Sequence, residues 1–125
     1  MTTGAVVGTP RAILRLEGAA LALSAVFFFW HSHGSWLLFA VLILAPDLSF
    51  FAYLVSPRIG AIAYNLVHST IGPLVLLAAA VWFGCPRGES IALIWLTHVG
   101  IDRALGYGLK YQTAFGDTHL GHIGR

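Results

Sequence analysis

Two histidines and two aspartates are the residues whose types and positions could do chemistry: Asp47, His68, His98 and Asp102. Each lies in a long apolar stretch, where an ionised Asp costs at least about 2.5–3.5 kcal/mol if the stretch crosses a membrane. His98 and Asp102 are four residues apart and therefore share one face of a helix. Imidazole and carboxylate together suit Zn²⁺, and less selectively Mn, Fe or Ni. The four residues therefore predict a divalent-metal site, with Zn²⁺ as the preferred ion.

Four apolar segments must position these residues. The chain has 125 residues, of which 58% are hydrophobic and 10% are charged, whereas a soluble domain carries about 25% charged residues. We therefore predict an all-α integral membrane protein with a single domain over residues 1–125. The links between the segments are short, which makes neighbouring helices antiparallel and favours an up-down four-helix bundle. The predicted helices span about 11–30, 35–55, 59–83 and 90–110, followed by a short tail at 112–125.

Proline and basic residues add detail to this bundle. Pro46 and Pro73 lie inside the second and third predicted helices, and each is expected to kink its helix because it lacks a backbone donor. Basic residues near the helix ends favour both termini in the cytoplasm, since cytoplasmic loops carry more Lys and Arg. The predicted location is the bacterial inner (plasma) membrane. The basic residues on the predicted cytoplasmic side are Arg11, Arg15, Arg58, Lys110 and Arg125, against Arg87 on the other side.

The four candidate ligands fall at one depth. With about 1.5 Å of rise per residue, they lie in one slab on the order of 10–18 Å from the cytoplasmic helix ends. Glu17 and Asn65 lie slightly nearer the cytoplasm and are candidates for orienting a ligand or moving a proton. Arg103 could hold a phosphate group or pair with Glu17. The convergence has three interpretations: a metal site, a proton or ion path without a fixed metal, and polar contacts that hold helices together.

The C-terminal tail contains a second group of metal-ligand residue types. Asp117, His119 and His122 follow a D-x-H-x-x-H spacing. This spacing could close over the cytoplasmic mouth of the bundle and complete a coordination shell. The alternative is a solvated tail or a turn that lies on the surface.

Three stretches carry a resemblance to a known family: LAPDLSFFAY, YNLVHSTIGPL and WLTHVGIDRALGYGLKY. The sequence resembles an uncharacterised family of small bacterial four-helix membrane proteins, described only as a domain of unknown function. The likeness covers roughly residues 11–125. It implies a fold but no activity.

The order Pro-Asp, His-Ser and His-x-x-x-Asp is similar to the pattern of the membrane-bound metal-dependent hydrolases. The matching residues are Pro46-Asp47, His68-Ser69 and His98 with Asp102. The resemblance implies metal-assisted hydrolysis. The chain departs from the pattern at Ser49, where that family usually has a second acid, and at Ala63 and Tyr64, where it has His-Arg.

Three functions follow from these observations. The first is metal-dependent hydrolysis of a lipid or lipid-like ester or phosphoester, in which Arg103 holds an anionic head group and Glu17 or the tail transfers protons. The second is a proton-coupled or metal-ion transporter that uses Glu17, because intramembrane carboxylates commonly mark proton relays. The third is a structural or assembly subunit. Membrane lipid is the predicted partner, a homo-oligomer is compatible with each function, and no basic cluster indicates nucleic acid at a net charge of +2.

Overall fold

The computed structural model has the predicted order of helices, with two of them broken. It describes residues 8–106 and, in the tail, the backbone of residues 117–118 and 121–122. The first predicted helix is α1, Gly8–His31, and the fourth is α5, Pro86–Ala104. The second consists of α2, Trp36–Leu42, and a 3₁₀ helix, Ala45–Leu54, whereas the third consists of α3, Pro57–His68, and α4, Ile71–Trp82.

The last helix starts and ends earlier than the sequence predicts. Its first residue is Pro86, because the first helical position needs no backbone N–H donor. It ends at Ala104, and Gly106 follows with φ +92°, a left-handed conformation that glycine adopts without a steric penalty. Its predicted continuation over 107–110 lies outside the described residues. In the tail, β1, Asp117–Thr118, pairs antiparallel with β2, Gly121–His122.

Each break lies four residues before a proline. The α-helix ends at that residue or at the one before it. A proline ring clashes with the carbonyl group four residues earlier and lacks the N–H that would bond to it. For Pro46 that earlier residue is Leu42, the last residue of α2. For Pro73 it is Ser69, the residue after α3, whose backbone is extended. The two expected kinks are therefore complete interruptions of the α-helix.

Helix α5 lies at the centre of the fold. Its residues from Ala92 to Gly100 are buried with the exception of Trp95, which is half-buried. Helix α1 crosses it closely through small residues, since a Cβ atom on Gly18 would lie 2.9 Å from the Gly100 carbonyl oxygen. A Cβ atom on Gly100 would lie 2.7 Å from the backbone nitrogen of Ala22. Small residues allow such close approach of helices in membranes.

The outer surface is strongly apolar. Three segments are long and apolar enough to cross a membrane: Gly8–His31, Trp36–Leu54 and Pro57–Trp82. Large side chains on them point outward, including Leu23 and Leu54, which are 72% and 84% exposed. Helix α5 has charged residues in its first and last turns, including Glu89 and Arg103, and is covered by the other helices. The cytoplasmic orientation of the termini stays a prediction.

Candidate metal centre

The structure brings the four predicted ligands together. Asp47 lies in the first turn of the 3₁₀ helix, His68 is the last residue of α3, and His98 and Asp102 lie one turn apart on α5. One potential ligand atom from each residue lies within 4.8 Å of the other three. The two imidazoles are almost fully buried, at 2% and 4% exposure, whereas the side chains of Asp47 and Asp102 are 33% and 16% exposed. The site is therefore enclosed on its histidine side and more open at Asp47.

Backbone carbonyl groups fix both imidazole rings. His98 Nδ1 donates to the carbonyl oxygen of Ile43 at 2.5 Å, and His68 Nδ1 donates to that of Tyr64 at 3.0 Å. A carbonyl oxygen only accepts hydrogen bonds, so each Nδ1 must carry the hydrogen atom. In a neutral imidazole the other nitrogen, Nε2, then presents a lone pair. Hydrogen bonding at one ring nitrogen is the usual way in which proteins orient a metal-binding histidine.

The two Nε2 atoms point at each other, 3.1 Å apart. With both rings neutral, two lone pairs face each other at that distance, which is repulsive unless a proton or a metal ion lies between them. Carboxylate oxygens complete the group. Asp47 Oδ1 lies 3.3 Å from His68 Nε2 and 3.1 Å from His98 Nε2, and Asp102 Oδ2 lies 3.5 Å and 3.2 Å from the same atoms.

These distances fit a metal ion. A tetrahedral Zn²⁺ ion with bonds of about 2.0–2.1 Å separates its ligand atoms by about 3.3 Å. Five of the six distances within the group are 3.1–3.5 Å. The sixth, between the two carboxylate oxygens, is no longer than 4.8 Å. Two imidazole nitrogens and two carboxylate oxygens are also a ligand set that Zn²⁺ accepts.

The break before Pro46 supplies the acceptor for His98. In a continuous helix the Ile43 carbonyl oxygen would accept from the N–H of Asp47, but that N–H donates to Leu44. Pro46 has no N–H that could replace it. The Ile43 carbonyl oxygen is therefore left without a helical partner, and the His98 ring donates to it.

The break after α3 is used in the same way. Its last carbonyl groups lack helical partners, as at every helix end. Trp95 Nε1 donates to the carbonyl oxygen of Val67 at 2.6 Å, and Arg103 Nη2 donates to that of His68 at 3.1 Å. Three donors on α5 thus satisfy carbonyl groups at two helix breaks, and two of them hold the end of α3 that carries His68.

Aromatic rings form one wall of the site. The Tyr64 ring stacks on the His68 ring with centroids 3.7 Å apart and planes within 5° of parallel. Phe50 lies nearly parallel to both rings, with its centroid 5.4 Å from that of Tyr64 and 6.4 Å from that of His68. Tyr64 is 2% exposed, so its ring cannot move away without opening the core. We conclude that Tyr64 positions His68 with both its ring and its carbonyl group.

The remaining predicted site residues lie around the centre or away from it. Glu17 is exposed on α1 and is not one of the four convergent residues. Asn65 is half-buried on α3, one turn before His68. Arg103 bonds to the backbone of His68. The side chains of Asp117 and His122, and the whole of His119, lie outside the described residues, so the predicted tail ligands stay predictions.

Three residues orient the centre but were not predicted from the sequence to belong to it: Ile43, Tyr64 and Trp95. The ring of Tyr64 could have been suspected, because it lies four residues before His68 on the same helical face. Trp95 lies three residues before His98 and shares its face in the same way. The role of the Ile43 carbonyl group has no signature of its own in the sequence beyond the proline three residues later.

Comparison with known proteins identifies the family. Residues 11–123 match the family described as Domain of unknown function (DUF4260). The chain belongs to this family. No curated protein and no solved structure matches it. The first predicted resemblance is thus confirmed at the level of the DUF4260 family, whereas the similarity to metal-dependent hydrolases is limited to the short motifs that suggested it.

Proposed function

We propose that this DUF4260 protein is an integral membrane protein that holds one divalent cation, preferably Zn²⁺, on Asp47, His68, His98 and Asp102. The convergence of four electron-pair donors from separate helical segments carries the proposal. Two ionised carboxylates in an apolar fold need compensating charge. A divalent cation supplies two positive charges, whereas a single proton shared between the histidines supplies one.

The apolar exterior supports a membrane location. Three segments have the length and hydropathy of membrane spans, and their large exposed side chains would face acyl chains. In this setting the helix breaks lie at membrane depth. Broken backbone at that depth is tolerated where it is buried in protein, because its polar groups then find partners. The donors from His98, Trp95 and Arg103 meet this requirement.

Hydrolysis of an ester or phosphoester in a lipid or lipid-like substrate is the chemistry that we propose for the centre. A bound divalent cation would polarise the substrate oxygen and activate water by expanding its shell from four to five ligands, because the four protein ligands fill a tetrahedral shell. Asp47 lies on the more open side, where a substrate can approach and where a carboxylate can accept a proton. Arg103 places a positive charge beside Asp102, which favours an anionic head group.

The transporter alternative has less structural support. It relied on Glu17 as a buried carboxylate in the proton path. Glu17 is exposed on α1 and stands apart from the four convergent residues. The convergent residues by themselves are equally compatible with a site that binds a cation without moving it.

Elemental analysis of the protein purified in detergent tests the metal centre. We expect about one equivalent of a divalent metal in the wild type and less than about a tenth of an equivalent in His98→Ala and Asp102→Ala, because each change removes a ligand. His33→Ala is the matched control, since His33 is an exposed histidine in the turn after α1. A wild-type protein with less than about a tenth of an equivalent after incubation with Zn²⁺ would overturn the metal centre.

The hydrolase proposal has a separate test. The metal-loaded protein is incubated with mixed phospholipids, and released fatty acids, phosphate and head groups are measured by mass spectrometry. We expect product release that is lost in Asp102→Ala and retained in His33→Ala. A metal-loaded protein that releases no product from any of the lipids contradicts the hydrolase and leaves the metal centre in place.

A further inference from the structure

An apolar groove lies beside the metal centre. It has a volume of about 240 Å³ and opens on the outer surface of the fold. It lies between the break in the second predicted helix, the end of α3 and the middle of α5. Its lining residues are apolar: Leu42, Ala45, Pro46, Val67, Ile91, Ile94 and Trp95.

The groove is lined by residues that are neighbours of the ligand residues along the chain. Pro46 immediately precedes Asp47, and Val67 immediately precedes His68. On α5, Ile91 and Trp95 lie seven and three residues before His98, so all three share one face of the helix. A chain lying in the groove would therefore run beside the three segments that carry the convergent Asp and His side chains.

Fixed neighbours shape this groove in advance. The Trp95 indole is held by its bond to the Val67 carbonyl oxygen, which also satisfies its only donor. Its ring packs on Gly72, where a Cβ atom would lie 2.6 Å from it. Leu42, at the end of α2, and Ala45 and Pro46, at the start of the 3₁₀ helix, line the groove at the break. Largely preformed, mostly apolar sites are typical of small-molecule binding.

Polarity changes in a fixed order along α5. The apolar groove lies at residues 91–95 and the convergent ligands at 98–102. Basic residues follow: Arg103 comes directly after Asp102, and Arg15 Nε of α1 donates to the Ala104 carbonyl oxygen at 2.9 Å. This order of apolar, metal-binding and cationic regions matches that of an anionic lipid, with its acyl chain, its ester linkages and its charged head group.

The size of the groove limits what it can hold. Pockets that enclose a whole drug-sized ligand have volumes of about 300–1,000 Å³, whereas this groove has about 240 Å³. It accommodates one stretch of acyl chain and excludes a bulky ring system. We infer that the groove binds one acyl chain of an anionic phospholipid and directs the linkage to the head group toward the metal centre. The chemistry of that linkage rests on the proposed function, whereas binding of the chain does not.

Fluorescence quenching by brominated lipid tests the groove, because Trp95 is one of its walls. Trp30, Trp36 and Trp82 are 60%, 50% and 84% exposed, and their replacement by Phe leaves Trp95 as the single tryptophan. The protein is placed in nanodiscs of phosphatidylcholine that contain increasing fractions of phosphatidylglycerol with brominated acyl chains. We expect quenching that saturates while the brominated lipid is still a minor component. Random contact with lipid would instead give quenching that increases in proportion to the brominated fraction.

Two variants fill the groove from different sides. We expect Ala45→Leu and Ile91→Phe each to lower the lipid affinity derived from saturable quenching about tenfold. The larger side chain occupies groove volume that the acyl chain would otherwise fill. Ala40→Leu is the matched control, since Ala40 is exposed on α2 and does not line the groove. Brominated phosphatidylcholine is expected to bind more weakly than brominated phosphatidylglycerol, because it lacks the net negative charge.

The outcomes separate this inference from the proposed function. Quenching that is proportional to the brominated fraction, or that is unchanged in both Ala45→Leu and Ile91→Phe, overturns the groove even if the protein binds one equivalent of metal. Equal saturation with both brominated lipids overturns the anionic head group. Saturable quenching that persists in a protein without metal or product release supports the groove and leaves only the proposed function contradicted.

Discussion

The two halves of the α1–α5 pair are held together by different forces. Toward the end of α1 and the start of α5, apolar side chains form a continuous core that contains Ala25, Phe29, Leu93, Ile94 and Leu96. We call this cluster the apolar half. Toward the other end, residues 98–104 of α5 contact α1 through glycines and bond to backbone carbonyl groups at the helix breaks. We call that region the polar half.

The difference shows why the centre lies where it does. Dispersion contacts in the apolar half favour close packing but allow side chains to be exchanged at conserved volume. Hydrogen bonds in the polar half have preferred distances and angles, so they fix the direction of each ring. A metal site needs ligands placed in specific directions. Only the polar half provides them, and we expect changes there to affect metal binding far more than changes in the apolar half.

Restoring the helix at the break before Pro46 is expected to have the largest effect on the affinity for Zn²⁺. Pro46→Ala supplies an N–H and allows α2 to continue, so that the Ile43 carbonyl oxygen can bond within the helix and no longer orients His98. We expect the affinity for Zn²⁺, measured by competition with a chelator, to fall about 10–100-fold. Pro57→Ala is the control, because the first turn of α3 needs no donor at Pro57. Equal affinities in both variants would show that the break does not orient the ligand.

Removing the ring that stacks on His68 should have a smaller effect. Tyr64→Leu keeps the backbone carbonyl group but loses the stacked ring. Aromatic pairs contribute about 0.5–1.5 kcal/mol, which corresponds to about a two- to tenfold loss of Zn²⁺ affinity. Tyr64→Phe retains the ring and should bind Zn²⁺ like the wild type. A loss of the same size in Tyr64→Phe would assign the effect to the hydroxyl group instead of the ring.

A change in the apolar half should leave the centre nearly untouched. Phe29 is fully buried against the rings of Trp36 and Phe39, with centroids 4.9 and 5.3 Å away. We expect Phe29→Ala to lower the free energy of unfolding by about 3 kcal/mol, measured by denaturation in detergent, and to change Zn²⁺ affinity less than about twofold.

Phe28→Ala is the matched control for that experiment, because Phe28 is 55% exposed on the same helix. It should affect neither quantity strongly. If Phe29→Ala instead lowered Zn²⁺ affinity as much as Pro46→Ala does, the two halves would be energetically coupled, and the distinction between them would fail.

The sequence predicted the elements of this fold because its strongest signals are local. Runs of apolar residues about 20 long indicate helices that can span a membrane, and all four predicted segments are helical in the described residues, two of them with a break. The sequence also indicated that Asp47, His68, His98 and Asp102 lie at one depth, since helical rise converts residue number into distance. Depth alone left open whether these side chains face one another.

Tertiary structure decided the rest. Whether Pro46 bends a helix or ends it depends on whether another element supplies a partner for the freed carbonyl group, and His98 on a helix 55 residues away supplies it. The same reason explains why Glu17 lies apart from the four convergent residues. Its type and depth resembled those of the ligands, but rotation about α1 directs it outward, while Gly18 faces α5. The sequence determined which residues share a level, because that follows from the geometry of a single helix. Packing of the helices against one another determined which of those residues meet, because it sets the rotation of each helix about its axis.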